Sequence, residues 1–156
     1  MGSTAGKDFV SDLSSKIGKP IINLGISGET SRQGLLRIDK VTREDPGTVI
    51  ILFGGNDYLK KVPQDETFKN LRQIISEFQS RGSMVVLLGI RGGMLTDKFY
   101  SSFKKLADEM GVIYAPDVLS GLITNSKYMS DPVHPNDLGY EKISERVYAT
   151  MKDYLK

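Results

Sequence analysis

The sequence contains no cysteine and only one histidine, His134. The first absence excludes disulfides, thiolate chemistry and Cys-based metal sites, and leaves the compartment open. The second, with no clustered ligands around it, argues against a zinc site. Charge of one sign is also scarce: the formal net charge is +2, and lysines and acids are interspersed. That is too small an excess to point to a nucleic acid or another polyanion. No apolar run reaches membrane-spanning length, and the start, MGSTAGKDF, lacks the apolar stretch of a signal peptide. Internal repeats, low-complexity tracts and linkers are missing too. A chain of 156 residues is long enough to bury a core as a single domain over 1–156.

What is present is an alternation of short apolar runs with segments of helical period. Phe9, Val10, Leu13 and Ile17 share one face over residues 7–17. Pro20–Gly25 reads as a strand, and residues 30–43 as a helix. Thr48–Phe53 is a fully apolar strand ended by Gly54-Gly55. Phe68, Leu71, Ile75 and Phe78 mark a helix over 66–80. Met84–Ile90 is another apolar strand, and residues 96–110 a helix with Phe99, Phe103, Leu106 and Met110 on one face. Gly111–Ala115 is a short strand. A last helix from about Leu138 turns Ile143, Val147 and Met151 inward. Strands without polar alternation are buried on both faces, and the helices between them supply the cover. The expected class is α/β, a parallel sheet in an α/β sandwich. Ligands in such folds sit beyond the carboxyl ends of the strands.

Three stretches at those ends carry chemistry. In SDPVHPND, Asp131 stands three residues before His134, and Pro132 and Pro135 stiffen the loop. The carboxylate can fold back onto one imidazole nitrogen, set the tautomer and leave the other nitrogen as a base. The plainer alternative, which the D-x-x-H spacing taken alone favours, is a helix-capping Asp beside a loop His. In NLGISGETS, backbone N–H groups at a glycine turn can hold an oxyanion or phosphate. The plainer alternative is a helix start, with Thr30 or Ser31 as cap and Gly25 and Gly28 making the turn. In FGGND, Asn56 offers an amide donor at a strand tip, or the four letters make a simple turn. An N–H turn, an amide donor and an oriented His, in this order along one sheet edge, are what acyl transfer needs.

These blocks resemble those of the SGNH (GDSL) hydrolases, over roughly residues 8–156. NLGISGETS is similar to the family's second block, GGND to its third (G-x-N-D) and DPVHP to its fifth (D-x-x-H-P). The nearest type is the small esterase, thioesterase and lysophospholipase-I proteins. The resemblance implies a three-layer α/β/α sandwich with a flavodoxin-like parallel sheet. It implies His134 as base, Asp131 as its partner, and Gly28 and Asn56 as oxyanion donors. The substrate would be a small acyl ester of short or medium chain, with no metal or organic cofactor. The family's first block, G-D-S, which holds the nucleophile at the end of the first strand, is missing from the sequence. The expectation is therefore a domain that is incomplete at its N-terminus, without the first strand. Ser3, Ser27 and Ser130 are the substitute serines to weigh. In the order 2-1-3-4-5 that strand lies between Pro20–Gly25 and Thr48–Phe53, so its loss predicts unpaired edges, self-association or a poorly stable monomer. A truncated, non-catalytic scaffold is the alternative reading. A nucleotide or phosphate binder of the same architecture is a third, weakened by the lack of any G-x-x-x-x-G-K-[ST] or G-x-G-x-x-G. Met94 and Leu95, with Tyr58 and Leu59, either line the mouth of the site or pack on the core.

Overall fold

The computed structural model describes residues 9–91, 97–132 and 134–155. Its elements run α1 (Phe9–Ile17), α2 (Ser31–Leu36), α3 (Ile38–Thr42), β1 (Thr48–Ile51), α4 (Gly55–Leu59), α5 (Gln64–Ser80), β2 (Met84–Leu88), α6 (Asp97–Met110), β3 (Ile113–Ala115) and α7 (Asp137–Met151). Single 3₁₀ turns cover Ser126–Tyr128 and Lys152–Tyr154. Among the described residues the strands form one three-stranded sheet in the order β1-β2-β3. Both pairings are parallel, with Ile51 opposite Leu87 and Leu87 opposite Tyr114. Helices bridge the parallel strands, as parallel connections require.

The two-residue period of a strand sends alternate side chains to opposite faces. Val85 and Leu87 join Ile51 in one core cluster, against Leu71, Ile75 and Phe78 of α5 and Phe99, Phe103 and Leu106 of α6. Val86 and Leu88 join Ala115 in a second, against Leu13 of α1 and Tyr140, Ile143, Val147 and Met151 of α7. The sheet is thus the middle layer of an α/β/α sandwich. That is why β2 contains no polar residue: Val86, Leu87 and Leu88 are all fully buried. Fully burying one such side chain is worth roughly 1.5–3 kcal/mol. The first cluster also contains stacked rings, with Phe68 edge-on to Phe99 and Phe103 at centroid distances of 5.3 and 5.0 Å.

Three expectations need correction. Pro20–Gly25 forms no strand. The Asn23 side chain accepts a hydrogen bond from the Gly25 N–H at 3.0 Å, a local turn that competes with any ladder. Ile22, expected inside a sheet, is 61% exposed. The helix read over 30–43 is broken at Arg37, whose backbone leaves helical geometry (φ −113°, ψ 17°). Its guanidinium turns back to Glu29 in a two-pronged ion pair, with contacts of 2.6–3.0 Å. Finally, the simple turn weighed as the alternative for Gly-Gly-Asn-Asp is instead the start of the short helix α4 (Gly55–Leu59). Among the described residues no helix is long and apolar enough to cross a membrane.

Candidate active site

The chain after β3 reverses direction at the 3₁₀ turn and comes back through a narrow loop. Met129 and Pro135 form an antiparallel bridge. The Ser130 N–H donates to the His134 carbonyl at 2.8 Å, and the Asn136 N–H to the Tyr128 carbonyl at 2.9 Å. Inside this closure Asp131 accepts twice from His134: from the backbone N–H on Oδ1 at 2.8 Å and from Nδ1 on Oδ2 at 2.7 Å. An ionised carboxylate only accepts, so Nδ1 carries a proton, and in the neutral imidazole Nε2 keeps its lone pair. Both side chains are about half exposed, at 49% and 47%. Asn136 caps α7 through the Gly139 N–H at 3.1 Å. The fit of α7 to the loop is tight at Gly139. A Cβ there would stand 2.3 Å from the Tyr128 carbonyl oxygen and 2.8 Å from Pro135 Cβ.

Gly28 and Asn56 stand on two other segments, the turn before α2 and the first turn of α4. Gly28 is exposed and left-handed (φ 81°), with open space where a Cβ would point. The segment after it is held by α4. Lys60 Nζ donates to the Gly28 carbonyl at 2.7 Å, and Asn56 Nδ2 donates to the Glu29 carbonyl at 3.0 Å. Thr30 then caps α2 in a reciprocal box with Gln33. At the other end, Gly54 lets the start of α4 lie close against the core. Gly54 takes φ 109°, and a Cβ on it would lie 2.7 Å from Phe103 Cζ.

Of the four predicted residues, Asp131 and His134 are hydrogen-bonded to each other, while Asn56 is bonded to Glu29, the residue after Gly28, and not to Gly28 itself. Ser130 lies in the first loop, exposed, its amide tied to the His134 carbonyl. Ser27 is exposed in the Gly28 turn. Ser3, Met94 and Leu95 lie outside the described residues. Tyr58 packs edge-on to Phe99 at 5.6 Å, which favours its core role. Leu59 is 51% exposed. The residue missed from sequence is Asp57, fully buried and bonded to Ser31 and Thr67. The G-x-N-D letters contain it, but nothing in their local pattern says that its partners lie 26 and 10 positions away.

The sequence profile of the GDSL-like lipase/acylhydrolase family matches residues 2–142. An arylesterase of Vibrio mimicus is 32% identical over 142 residues, which cover 86% of this chain and 71% of that protein. Thioesterase 1/protease 1/lysophospholipase L1 of Escherichia coli K12 is 31% identical over 123 residues, 74% of this chain and 59% of the relative. The crystal structure of TesA superposes with a TM-score of 0.86 at 26% identity, over 94% of this chain and 88% of that one. The chain belongs to the GDSL-like lipase/acylhydrolase family of esterase-type hydrolases.

Proposed function

We propose that this chain hydrolyses short- or medium-chain acyl esters by serine acyl transfer. The observation that carries the reading is the His134 Nδ1–Asp131 Oδ2 bond of 2.7 Å, which leaves Nε2 as the basic nitrogen. Nε2 removes the proton of a serine hydroxyl as its oxygen attacks the ester carbonyl carbon. The electron pair of the carbonyl moves to oxygen, and the Gly28 N–H and Asn56 Nδ2–H donate to that oxyanion. The protonated imidazole then returns its proton to the leaving alkoxide. Water repeats the sequence on the acyl-enzyme. Asn56 suits its role because one of its two amide hydrogens is fixed on Glu29 while the other has no partner among the described residues. A donor of this kind typically contributes about 10²–10³ in rate.

Support for an apolar acyl group comes from Ile26 and Leu59, exposed by 56% and 51% on the two segments that carry Gly28 and Asn56. The names of the relatives, an arylesterase and a thioesterase/lysophospholipase, agree with that class. The test is turnover of p-nitrophenyl butyrate by wild type and His134→Ala. Equal rates discard the proposal.

One observation favours a second reading, a non-catalytic scaffold: the sequence has no Gly-Asp-Ser. Fluorophosphonate labelling followed by peptide mapping separates the two, because a labelled serine excludes the scaffold and names the nucleophile. We also propose self-association through the sheet edges. β1 pairs with β2 alone among the described residues, and open edges recruit strands. Sedimentation showing only a stable monomer contradicts this.

A further inference from the structure

Asp57 is fully buried, and so are most of the groups around it. A carboxylate removed from water needs donors in its place. They come from two distant segments. Ser31 gives its N–H to Oδ2 at 2.9 Å and its hydroxyl to Oδ1 at 2.5 Å. Thr67 gives its hydroxyl to Oδ1 at 3.3 Å. Asn70 Nδ2 donates to Ser31 Oγ at 3.1 Å, which turns the Ser31 proton toward the carboxylate. Ser31 and Thr67 are 0% exposed and Asn70 is 8%. None of these groups takes part in the acyl transfer proposed above. Apolar side chains would fill the same space without any desolvation penalty. A satisfied polar network does something apolar packing does not: it fixes one arrangement of its elements.

The arrangement that it fixes is visible in the chain order. Asp57 follows Asn56, and Ser31 follows Gly28 and Glu29. Helix α4 and the Lys60 that caps its end therefore hold one short segment at successive points: Lys60 on Gly28, Asn56 on Glu29 and Asp57 on Ser31. The Lys60 contact is exposed and the Asn56 contact only partly buried, so water competes for both. The Asp57–Ser31 contact is buried, and water does not reach it. Where Glu29 sits decides where the second Asn56 hydrogen points; Arg37 holds the Glu29 carboxylate, and Ser31, two residues on, anchors the backbone that follows it.

We propose that Asp57 is a positioning residue for the oxyanion hole, holding the Gly28 turn in register with Asn56 through Ser31. The claim rests on the Gly28/Asn56 reading above. Asp57 touches no reacting atom. Its loss misaligns donors that act in the transition state, so kcat falls and KM changes little.

The test is a double-mutant cycle on the full chain with p-nitrophenyl butyrate: Asn56→Ala, Asp57→Asn and the double variant. Asp57→Asn alone lowers kcat by about 10-fold or more, since a misplacement of about 1 Å can cost about 10²-fold. In the Asn56→Ala background the same change costs less than about threefold, because the group it positions is already gone. Multiplicative losses overturn the positioning claim and leave the oxyanion reading intact. An Asn56→Ala variant with wild-type kcat overturns the oxyanion reading and the positioning claim with it. Hydrogen exchange gives a readout that needs no turnover and decides the matter for a chain without activity. In Asp57→Asn, and in the milder Ser31→Ala, exchange at the Glu29 amide accelerates about 10-fold or more while Val86 and Leu87 of β2 keep their rates. Equal acceleration at all three sites means general destabilisation and overturns the claim.

Discussion

The loop that carries His134 and the turn that carries Gly28 are held by opposite means. Asp131 and His134 are three positions apart, half exposed, and closed by backbone bonds between near neighbours. The Gly28 turn is set by contacts that span 26 to 32 positions, and its strongest support, Asp57, is fully buried. A base has one nitrogen to orient, and a stiff local loop is enough. In the proposed mechanism, two oxyanion donors from separate segments are aimed at one atom, and that calls for a tertiary clamp. The half whose geometry is local stands in water, while the half assembled across the chain is anchored at one buried point, the Asp57–Ser31 contact.

Substitutions break this comparison at different scales. The largest effect is expected from His134→Ala, which removes the proposed base and lowers kcat for p-nitrophenyl butyrate by about 10²–10⁴-fold. Next is Asn56→Ala, about 10²–10³-fold in kcat with KM nearly unchanged. Stability sharpens the comparison from the other side. Gly139→Ala forces a Cβ against the Tyr128 carbonyl, 2.3 Å away, and a backbone atom yields only if the His134 loop moves. We expect a loss of about 1–3 kcal/mol, read as a fall in Tm of about 2–4 °C per kcal/mol. Activity falls with it, which tests whether α7 sets the loop.

The smallest effect lies away from both halves. The Arg72 guanidinium, hydrogen-bonded to Glu109, holds that carboxyl below the usual carboxylate range. The folded chain therefore favours the ionised form. The contribution is present above the ordinary carboxylate pKa and is lost as pH falls through the depressed one. The pair is exposed and screened, so Arg72→Ala is expected to leave Tm nearly unchanged at neutral pH and to make a still smaller difference in acid.

How much of this was legible follows the same line between local and distant. The three apolar strands 48–53, 84–90 and 111–115 and the helical stripes of α5, α6 and α7 are written in periodicity, and the structure bears them out. The Asp131–His134 bond is written in a spacing of three, with His134 set between Pro132 and Pro135. Pro20–Gly25 misled because its apolar letters match a strand, while Asn23 makes a turn that no periodicity reports. Arg37 breaks a helix by reaching Glu29, a side-chain choice invisible in the helical stripe. The Asp57 network was missed because its partners, Ser31, Thr67 and Asn70, become neighbours only once α2 and α5 pack together. A buried aspartate in a G-G-N-D string has no local mark that separates it from a turn residue.

The central claim is that the His134–Asp131 pair and the Gly28–Asn56 pair serve one reacting carbon. A crystal structure of the chain after reaction with a fluorophosphonate tests it most directly. The account predicts a serine-bound phosphoryl oxygen about 3 Å from both the Gly28 N and Asn56 Nδ2, with His134 Nε2 within hydrogen-bond reach of the serine oxygen. An adduct distant from either pair, or a chain that forms no adduct, would contradict it.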